Sequence, residues 1–398
     1  MDEIVIAGAG IGGLSAALAF AAGGASVTIL ERAERLEEVG AGLQLSPNAT
    51  RLLKRWGVLA RLEGKSVRPQ AIFLKDAGSL NTLAAIPLGQ AAERRWGAPY
   101  MVAHRADLQR ALLDCVTETA TITLRTGVAV TDVTFEPEGV RFITAGGERS
   151  SSEATCRLLV GADGVWSQLR KLTGGGSRFT GQAAFRAILR REAANGVAAA
   201  ILPSDGVVAC LAPDFHLIAY PLRGGSEINL VAITRSPELS RGWASDADMV
   251  HLLKETERAA PPLLSLIKTA GAWTTWPVHE VRNRARWVHP GVLALIGDAA
   301  HALPPYLAQG AAMAIEDAAT LAALYFRGGA AQVLHDFERL RRPRLARVAR
   351  RGSFNRFVWH ASGPVAFARN LALRLRDGQK LAADLDWLYG YDAAAAVE

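Results

Sequence analysis

The six residues Gly8-Ala9-Gly10-Ile11-Gly12-Gly13 constrain the fold of this chain more than any other stretch. An apolar run, EIVIA at 3–7, leads into them, and a segment with helical spacing, 13–23, leads out. A second apolar run, SVTILE at 26–31, follows. Strand, glycine turn, helix and strand make a βαβ unit. Within it Gly8, Gly10 and Gly13 are in G-x-G-x-x-G register. Gly8 permits the tight turn, Gly10 lets backbone approach a pyrophosphate, and Gly13 lets helix and strand pack closely. The first N–H groups of the helix then face an anion. Glu31 ends the second strand 18 residues after Gly13, where an acid accepts hydrogen bonds from a ribose and disfavours a 2′-phosphate. Arg32, next to it, borders the phosphates or the adenine. The unit specifies a dinucleotide without specifying its redox head, since NAD and FAD share this opening.

The chain has 398 residues, half of them hydrophobic and 21% charged, which is the composition of a globular protein of two or three domains. No apolar run reaches the roughly 18 residues of a membrane span. The nearest, VAAAILPSDGVVACLAP, is broken by Pro203, Ser204 and Asp205. The N-terminus lacks the basic start and cleavage site of a secretion signal, so a cytoplasmic location is expected. Cys115, Cys156 and Cys210 form no C-x-x-C pair and are expected to be buried, reduced thiols, with no metal site. The formal charge of +7 attracts anionic cofactors and small acidic substrates; no nucleic-acid motif accompanies it. Much of the excess lies at 339–356, RLRRPRLARVARRGSFNR, which reads as a surface helix with an arginine-rich face.

The texture changes along the chain. Residues 105–119 suit a helix, alternating strands follow at 120–145, and RLLVGADG at 157–164 is a buried strand ending in a turn. From 181 to about 276 short β-like runs separated by Gly, Pro and Ser suggest an antiparallel or mixed sheet. One or two helices at 245–270 are interrupted at Pro261 and Pro262, and GVLALIGD resumes the buried-strand style. The expected fold class is α/β: a Rossmann-like dinucleotide domain (1–70, 100–180 and 277–330), an inserted mixed-sheet substrate domain (71–99 and 181–276), and a C-terminal helical region (331–398).

Two further strand ends carry acids. GADGVWSQLR at 161–170 places Asp163-Gly164 after a strand, and GDAAHALPPYLAQGAAMAIEDA at 297–318 places Asp298 after another. Either acid could be a plain turn or cap residue. In this pattern the sequence resembles the single-component flavoprotein aromatic hydroxylases, the class A FAD monooxygenases. Their three fingerprints are the N-terminal glycine turn, a DG motif and a GD motif. The resemblance covers essentially the whole chain. GAGLQLSPNATRLL at 40–53, HRADLQRALL at 104–113 and HLIAYPLRGG at 216–225 are similar to the salicylate, 3-hydroxybenzoate and 6-hydroxynicotinate hydroxylase branch.

The resemblance implies non-covalent FAD. It places Asp298 on the ribityl chain, Arg105 on phosphates or ribityl hydroxyls, and Gly42, Leu43 and Gln44 along the flavin. Asp163 and Gly164 serve both FAD and a transient NADH or NADPH. Arg105 could equally just start its helix. Gly310, Ala311 and Ala312 open a helix whose bare N–H groups can touch the flavin N1–C2=O edge, where reduced flavin is negative; such an end stabilises an anion by about 0.3–2 kcal/mol. Larger side chains would hold that helix away.

On the substrate side, His216 and Tyr220 are four apart, hence on one face of a strand. The resemblance makes them face a small aromatic substrate. His216, with an ordinary pKa near 6.5, takes the phenolic proton and Tyr220 orients the ring; without the resemblance the pair could be a core His beside a Tyr. His301 is read as ordering the loop beside the flavin. Pro305 departs from a polar residue in relatives, and Arg186 and Arg223 could meet a substrate carboxylate. The implied reaction reduces FAD with NAD(P)H, adds O2 to give a C4a-hydroperoxide, and transfers OH to the ring. Rival readings are an epoxidase or reductase on the same scaffold, or a flavin-binding protein without turnover. A monomer or homodimer is expected, with Trp387, Leu388 and Tyr389 as contact candidates.

Overall fold

A computed structural model gives the fold of the chain. It describes residues 2–36, 41–137, 139–147, 151–194, 196–237, 245–281, 285–289, 291–328 and 330–397, so Gly40 of the GAG triplet lies outside the described residues.

Two eight-stranded sheets carry the architecture. In the first, Leu293–Leu295, Ser151–Gly161, Asp2–Ala7, Val27–Glu31 and Ile122–Thr126 lie side by side in that order, all parallel. Ile4, Val5, Ile6, Leu159 and Val160 are fully buried, as expected of parallel strands covered on both faces. Helices Ile11–Ala22, Arg105–Glu118 and Gly310–Tyr325 pack together against this sheet. A hairpin, Val128–Glu136 and Gly139–Gly146, is attached to the early part of Ser151–Gly161.

The second sheet is mixed. Its order is Ser245–Asp246, Thr274–Val281, Ser177–Arg190, Glu227–Arg235, Phe215–Leu222, Gly206–Leu211, Ala71–Asp76 and Thr82–Pro87. Gly206–Leu211 and Ala71–Asp76 pair in parallel, whereas the other neighbours run antiparallel. Its outer face, with Phe215, Leu217 and Ala219, packs on Met249–Glu255 and Pro261–Thr269. Pro261 and Pro262 do not break a helix but begin one, where a missing N–H costs nothing. The inner face carries His216, Ile218 and Tyr220, of which Ile218 and Tyr220 join the core of the parallel sheet.

The C-terminal part is helical: Ala330–Trp359, Gly363–Leu375 and Gly378–Ala383, the latter two covering the edge strand Thr82–Pro87. Two expectations are corrected here. The arginine-rich stretch is not a surface face throughout, because Arg341 is fully buried and Arg344 nearly so. Trp387, Leu388 and Tyr389 are not an exposed contact patch. Leu388 and Tyr389 are buried within the chain, Tyr389 meeting Trp96 edge-on at 5.0 Å, and Trp387 lies under the guanidinium of Arg347 at 4.2 Å. The three cysteines are buried and form no disulfide among the described residues. Among the described residues no helix is long and apolar enough to cross a membrane.

Candidate active site

Glu31 ends a strand of the parallel sheet, and the glycine turn, Asp163 and Asp298 follow the C-terminal ends of others. Ligands of open parallel sheets bind along that edge.

At Gly8 the backbone has φ +109°, and a Cβ there would sit 2.5 Å from the carbonyl oxygen of Ala162. A Cβ at Gly13 would lie 1.9 Å from the carbonyl oxygen of Gly8. A Cβ at Gly12 would lie 3.3 Å from the Ala314 side chain on the neighbouring helix. Gly10, by contrast, faces open space. Three glycines therefore permit packing, and one leaves the approach clear for a ligand. Glu31 accepts from the N–H groups of Ala9 (2.7 Å) and Ala33 (3.0 Å), which fixes its carboxylate beside the turn; Arg32 is exposed next to it. Replacing Gly13 by Ala should strip the protein of FAD. Absorbance at the flavin band after gel filtration measures this, and retention equal to wild type would contradict the role of the turn.

Asp163 caps the next segment, accepting from Gln168 N–H at 2.8 Å through Oδ2, while its Oδ1 is buried without a hydrogen-bond partner among the described residues. The acid thus has one oxygen committed to the turn and one left over. Arg170, from the same segment, donates to the carbonyls of Asp298 (3.2 Å) and Ala299 (2.9 Å), tying the two acidic turns together. Asp298 itself is exposed between buried neighbours, on a turn begun by Gly297 at φ +57°. Gly310 is exposed with open space at its Cβ position, Ala311 is half-buried and Ala312 buried. A cavity of about 440 Å³ reaches this helix end, lined by Tyr306, Leu307, Gln309, Gly310, Val348 and Arg356 among others. Open backbone at Gly10 and Gly310, a free acceptor on Asp163 and an exposed carboxylate at Asp298 fit an extended dinucleotide with a polyol and a flat head group.

The strand Gly42–Leu45 pairs with Met101–His104 beside that space. Gly42 donates to Asn229 Oδ1 at 2.6 Å, and a Cβ on Gly42 would lie 2.6 Å from the Tyr220 ring. Leu43 is half-buried, and Gln44 accepts from the Tyr100 hydroxyl at 2.5 Å. Arg105 is the first residue of its helix, with His104 as the cap.

The inner face of the mixed sheet forms the opposite wall. Register brings Ala184, Ile233 and His216 into one row, Arg186, Val231 and Ile218 into the next, then Ile188, Asn229 and Tyr220. Arg186 is half-buried with its guanidinium 4.9 Å over the Trp276 ring. Its Nε has no hydrogen-bond partner among the described residues. Burial, then the nearby charge of Arg105, push its pKa down to about 10 despite the Tyr220 hydroxyl. Arg223, in contrast, is exposed and paired with Glu227 and Asp107, which occupies it outside this wall.

His216 differs from its expected behaviour. It does share a face with Tyr220, but it is buried against Tyr306, Trp359 and His360, with Nδ1 2.9 Å from His360 Nε2. Burial, then the second imidazole, hold its pKa well below 6.5 instead of near it. Tyr220 is buried too, and burial raises its hydroxyl pKa.

Behind the turn at Asp298 and the helix end at Gly310 lies a buried polar network that sequence reasoning missed. His301 Nε2 meets Asp317 Oδ2 at 2.5 Å, and Gly297 N–H donates to the same oxygen at 2.9 Å. Arg341 bridges Asp317 (2.7 Å) and Glu316 (2.6 Å), and Arg344 joins Glu316 at 2.8 Å. Asn48 donates to Glu316 at 2.7 Å, and Gln309, the residue capping Gly310–Tyr325, donates to Ser46 at 2.9 Å. One network thereby positions the Asp298 turn, the loop around His301 and the exposed helix end.

These features fit a dinucleotide-binding enzyme with a mostly apolar wall opposite the edge of its parallel sheet. Residues 1–352 match the family model described as FAD binding domain. The chain is 32% identical to 3-hydroxybenzoate 6-hydroxylase of Polaromonas naphthalenivorans (strain CJ2), over 98% of this chain and 96% of that protein. It is 34% identical to 3-amino-4-hydroxybenzoate 2-monooxygenase of Streptomyces cremeus, with 98% and 95% covered. It is also similar to a solved salicylate hydroxylase substrate complex, with a TM-score of 0.81 at 22% identity, over 99% of this chain and 97% of that one. The chain belongs to the FAD-binding-domain family of flavoprotein monooxygenases. It is an FAD-dependent aromatic monooxygenase, with NADH or NADPH as co-substrate.

Proposed function

We propose that this enzyme hydroxylates a small aromatic acid that already carries a ring hydroxyl, and that Arg186 holds the carboxylate. The observation that supports this is a guanidinium set in an apolar wall with no acid partner among the described residues. A buried cation without a counter-ion is costly, and an arriving carboxylate relieves that cost with a two-pronged hydrogen bond. Relatives named for hydroxybenzoates and 6-hydroxynicotinate act on compounds of this class.

Gly8, Gly10, Gly12 and Gly13 shape the bed for the FAD pyrophosphate, with Glu31 and Arg32 at the adenosine end. Arg105, Asp163 and Asp298 flank the middle, Gly42, Leu43 and Gln44 run along the ring, and Gly310, Ala311 and Ala312 present amides to its pyrimidine edge. When bound and reduced by NAD(P)H, FAD supplies activated oxygen. The residues of the chain do the rest. Tyr220, packed against Gly42 and Asn229, fixes the edge of the substrate nearest the flavin strand. His216 removes the phenolic proton, so that the ring is electron-rich ortho and para to the oxygen. Apolar Ala184, Val231, Ile233 and Val278 exclude water around it.

A panel of hydroxylated benzoates and hydroxynicotinates, scored by ligand-stimulated NAD(P)H oxidation and product mass, tests the reading. One or more acids should give a product heavier by one oxygen, or by one oxygen less CO2 where the attacked carbon bears the carboxylate. Neutral phenols accepted as well as every acid would overturn the assignment of an acidic substrate.

A further inference from the structure

The depressed basicity of His216 conflicts with its role as a simple base. An imidazole that resists protonation cannot keep a proton taken from a phenol. We propose that His216 does not keep it, and that His216 and His360 form a two-imidazole relay carrying the phenolic proton out of the substrate cavity. This inference rests on the reading of the substrate as a ring-hydroxylated acid.

The geometry supports a direct hand-over. His216 lies on the strand Phe215–Leu222, and His360 follows the long helix Ala330–Trp359, yet their facing nitrogens are 2.9 Å apart. That is hydrogen-bond distance for two nitrogens. Tyr306 and Trp359 pack around the pair. His216 is buried from solvent on the sheet face it shares with Arg186 and Tyr220, whereas His360 is half-buried and partly exposed. Proton abstraction from substrate fixes the starting tautomers. His216 carries its hydrogen on Nδ1, donates it to His360 Nε2, and keeps the Nε2 lone pair for substrate. His360 carries its hydrogen on Nδ1.

The transfer balances. The phenolic O–H breaks as its proton bonds to His216 Nε2. The His216 Nδ1 proton moves to His360 Nε2, and the His360 Nδ1 proton passes to water. Both rings end neutral, as they began, with their tautomers exchanged; the reverse sequence restores them when the product oxygen is reprotonated. No imidazolium persists in the cavity. This suits the surroundings: the groups acting on His360 are Arg356, Arg235 and Arg369, which disfavour its charge, and Asp214, which opposes them. Burial first, then Arg356, hold it down to about 4, so neither ring is a resting place for a proton.

Stopped-flow ultraviolet absorbance of the FAD-loaded enzyme mixed with each member of the hydroxybenzoate and hydroxynicotinate panel tests the relay, with phenol red in weak buffer reporting proton release. Wild type should form bound phenolate and release one proton at the same rate. His360→Ala should slow both by about 100-fold, the scale of general acid–base catalysis, at unchanged ligand Kd, with added imidazole restoring the rate. His360→Gln, which preserves a hydrogen bond to His216 but cannot pass a proton, should be equally slow without rescue. Fast phenolate formation in His360→Gln would overturn the relay while leaving the substrate assignment intact. Failure of wild type to bind or ionise any phenolic acid would overturn both.

Discussion

Exchanging Arg341 for methionine is expected to cost about 3–5 kcal/mol of stability, the usual penalty for removing one partner of a buried ion pair, and to release FAD. Arg341 is fully buried and its fork reaches both Asp317 and Glu316, themselves fully buried. Without it, Arg344 and His301 are left to balance two carboxylates. Burial alone would raise the Asp317 pKa; His301 and Arg341 more than offset it, and the carboxyl ends below its ordinary value. The sign follows: Asp317 contributes stability in full above the ordinary carboxylate range, near pH 4, and loses it as pH falls through the depressed value. In Arg341→Met that acid limb should move to higher pH. The fall in Tm should be about 4–6 °C. Functional loss accompanies it because Asp317 Oδ2 also takes the Gly297 N–H, and Gly297 begins the turn that presents Asp298. Thermal melts across pH, together with FAD titration, check both parts. A Tm within 1 °C of wild type, or an unchanged FAD affinity, would show that the network does not position the turn. Arg341→Lys, keeping charge but losing the fork, should fall between.

The same network marks the boundary of what the sequence discloses. The glycine turn is legible because its constraints are local: Gly8 and Gly13 are required by backbone atoms that the same short motif and its neighbouring strand supply. Asp163 and Asp298 are legible because each follows an apolar run, and strand ends on one sheet edge converge whatever lies between them. Arg341 and Arg344 look like solvated charges because the acids that bury them stand on another helix. The available signal was the acid pair Glu316-Asp317 in an otherwise alanine-rich helix, since two adjacent buried acids require counter-ions. His360 gave no such signal; only the packing of the long helix against the mixed sheet brings it to His216, 144 residues away. Trp387, Leu388 and Tyr389 invite reading as an interface because aromatic surface is common there, yet Trp96 and Arg347 provide partners for them within the chain.

Arg186→Met separates a substrate-binding arginine from a structural one, because the two roles predict opposite signs. A structural arginine is destabilising to remove. Arg186 has burial without an acid partner among the described residues, and burial already lowers its pKa to about 10. Methionine, apolar and of similar length, removes a desolvated charge and leaves no carboxylate stranded. Stability should therefore be unchanged or slightly increased, as when unfavourable buried charges are replaced by apolar groups. Catalysis should move the other way. Losing a hydrogen-bonded charge contact to a carboxylate costs about 2–5 kcal/mol, so kcat/KM for the aromatic acid should fall about 30-fold or more. KM should rise more than kcat falls, since the carboxylate contact is made equally in ground and transition states. The corresponding neutral phenol, poor with wild type, should lose little. Because Arg186 stays cationic below about 10, KM for the acid in wild type should be flat across neutral pH and climb only toward that value. Steady-state kinetics with an acid and its decarboxylated analogue, run beside thermal melts, give every term. A variant that melts lower yet keeps its preference for the acid would assign Arg186 to the scaffold and leave the carboxylate to another group.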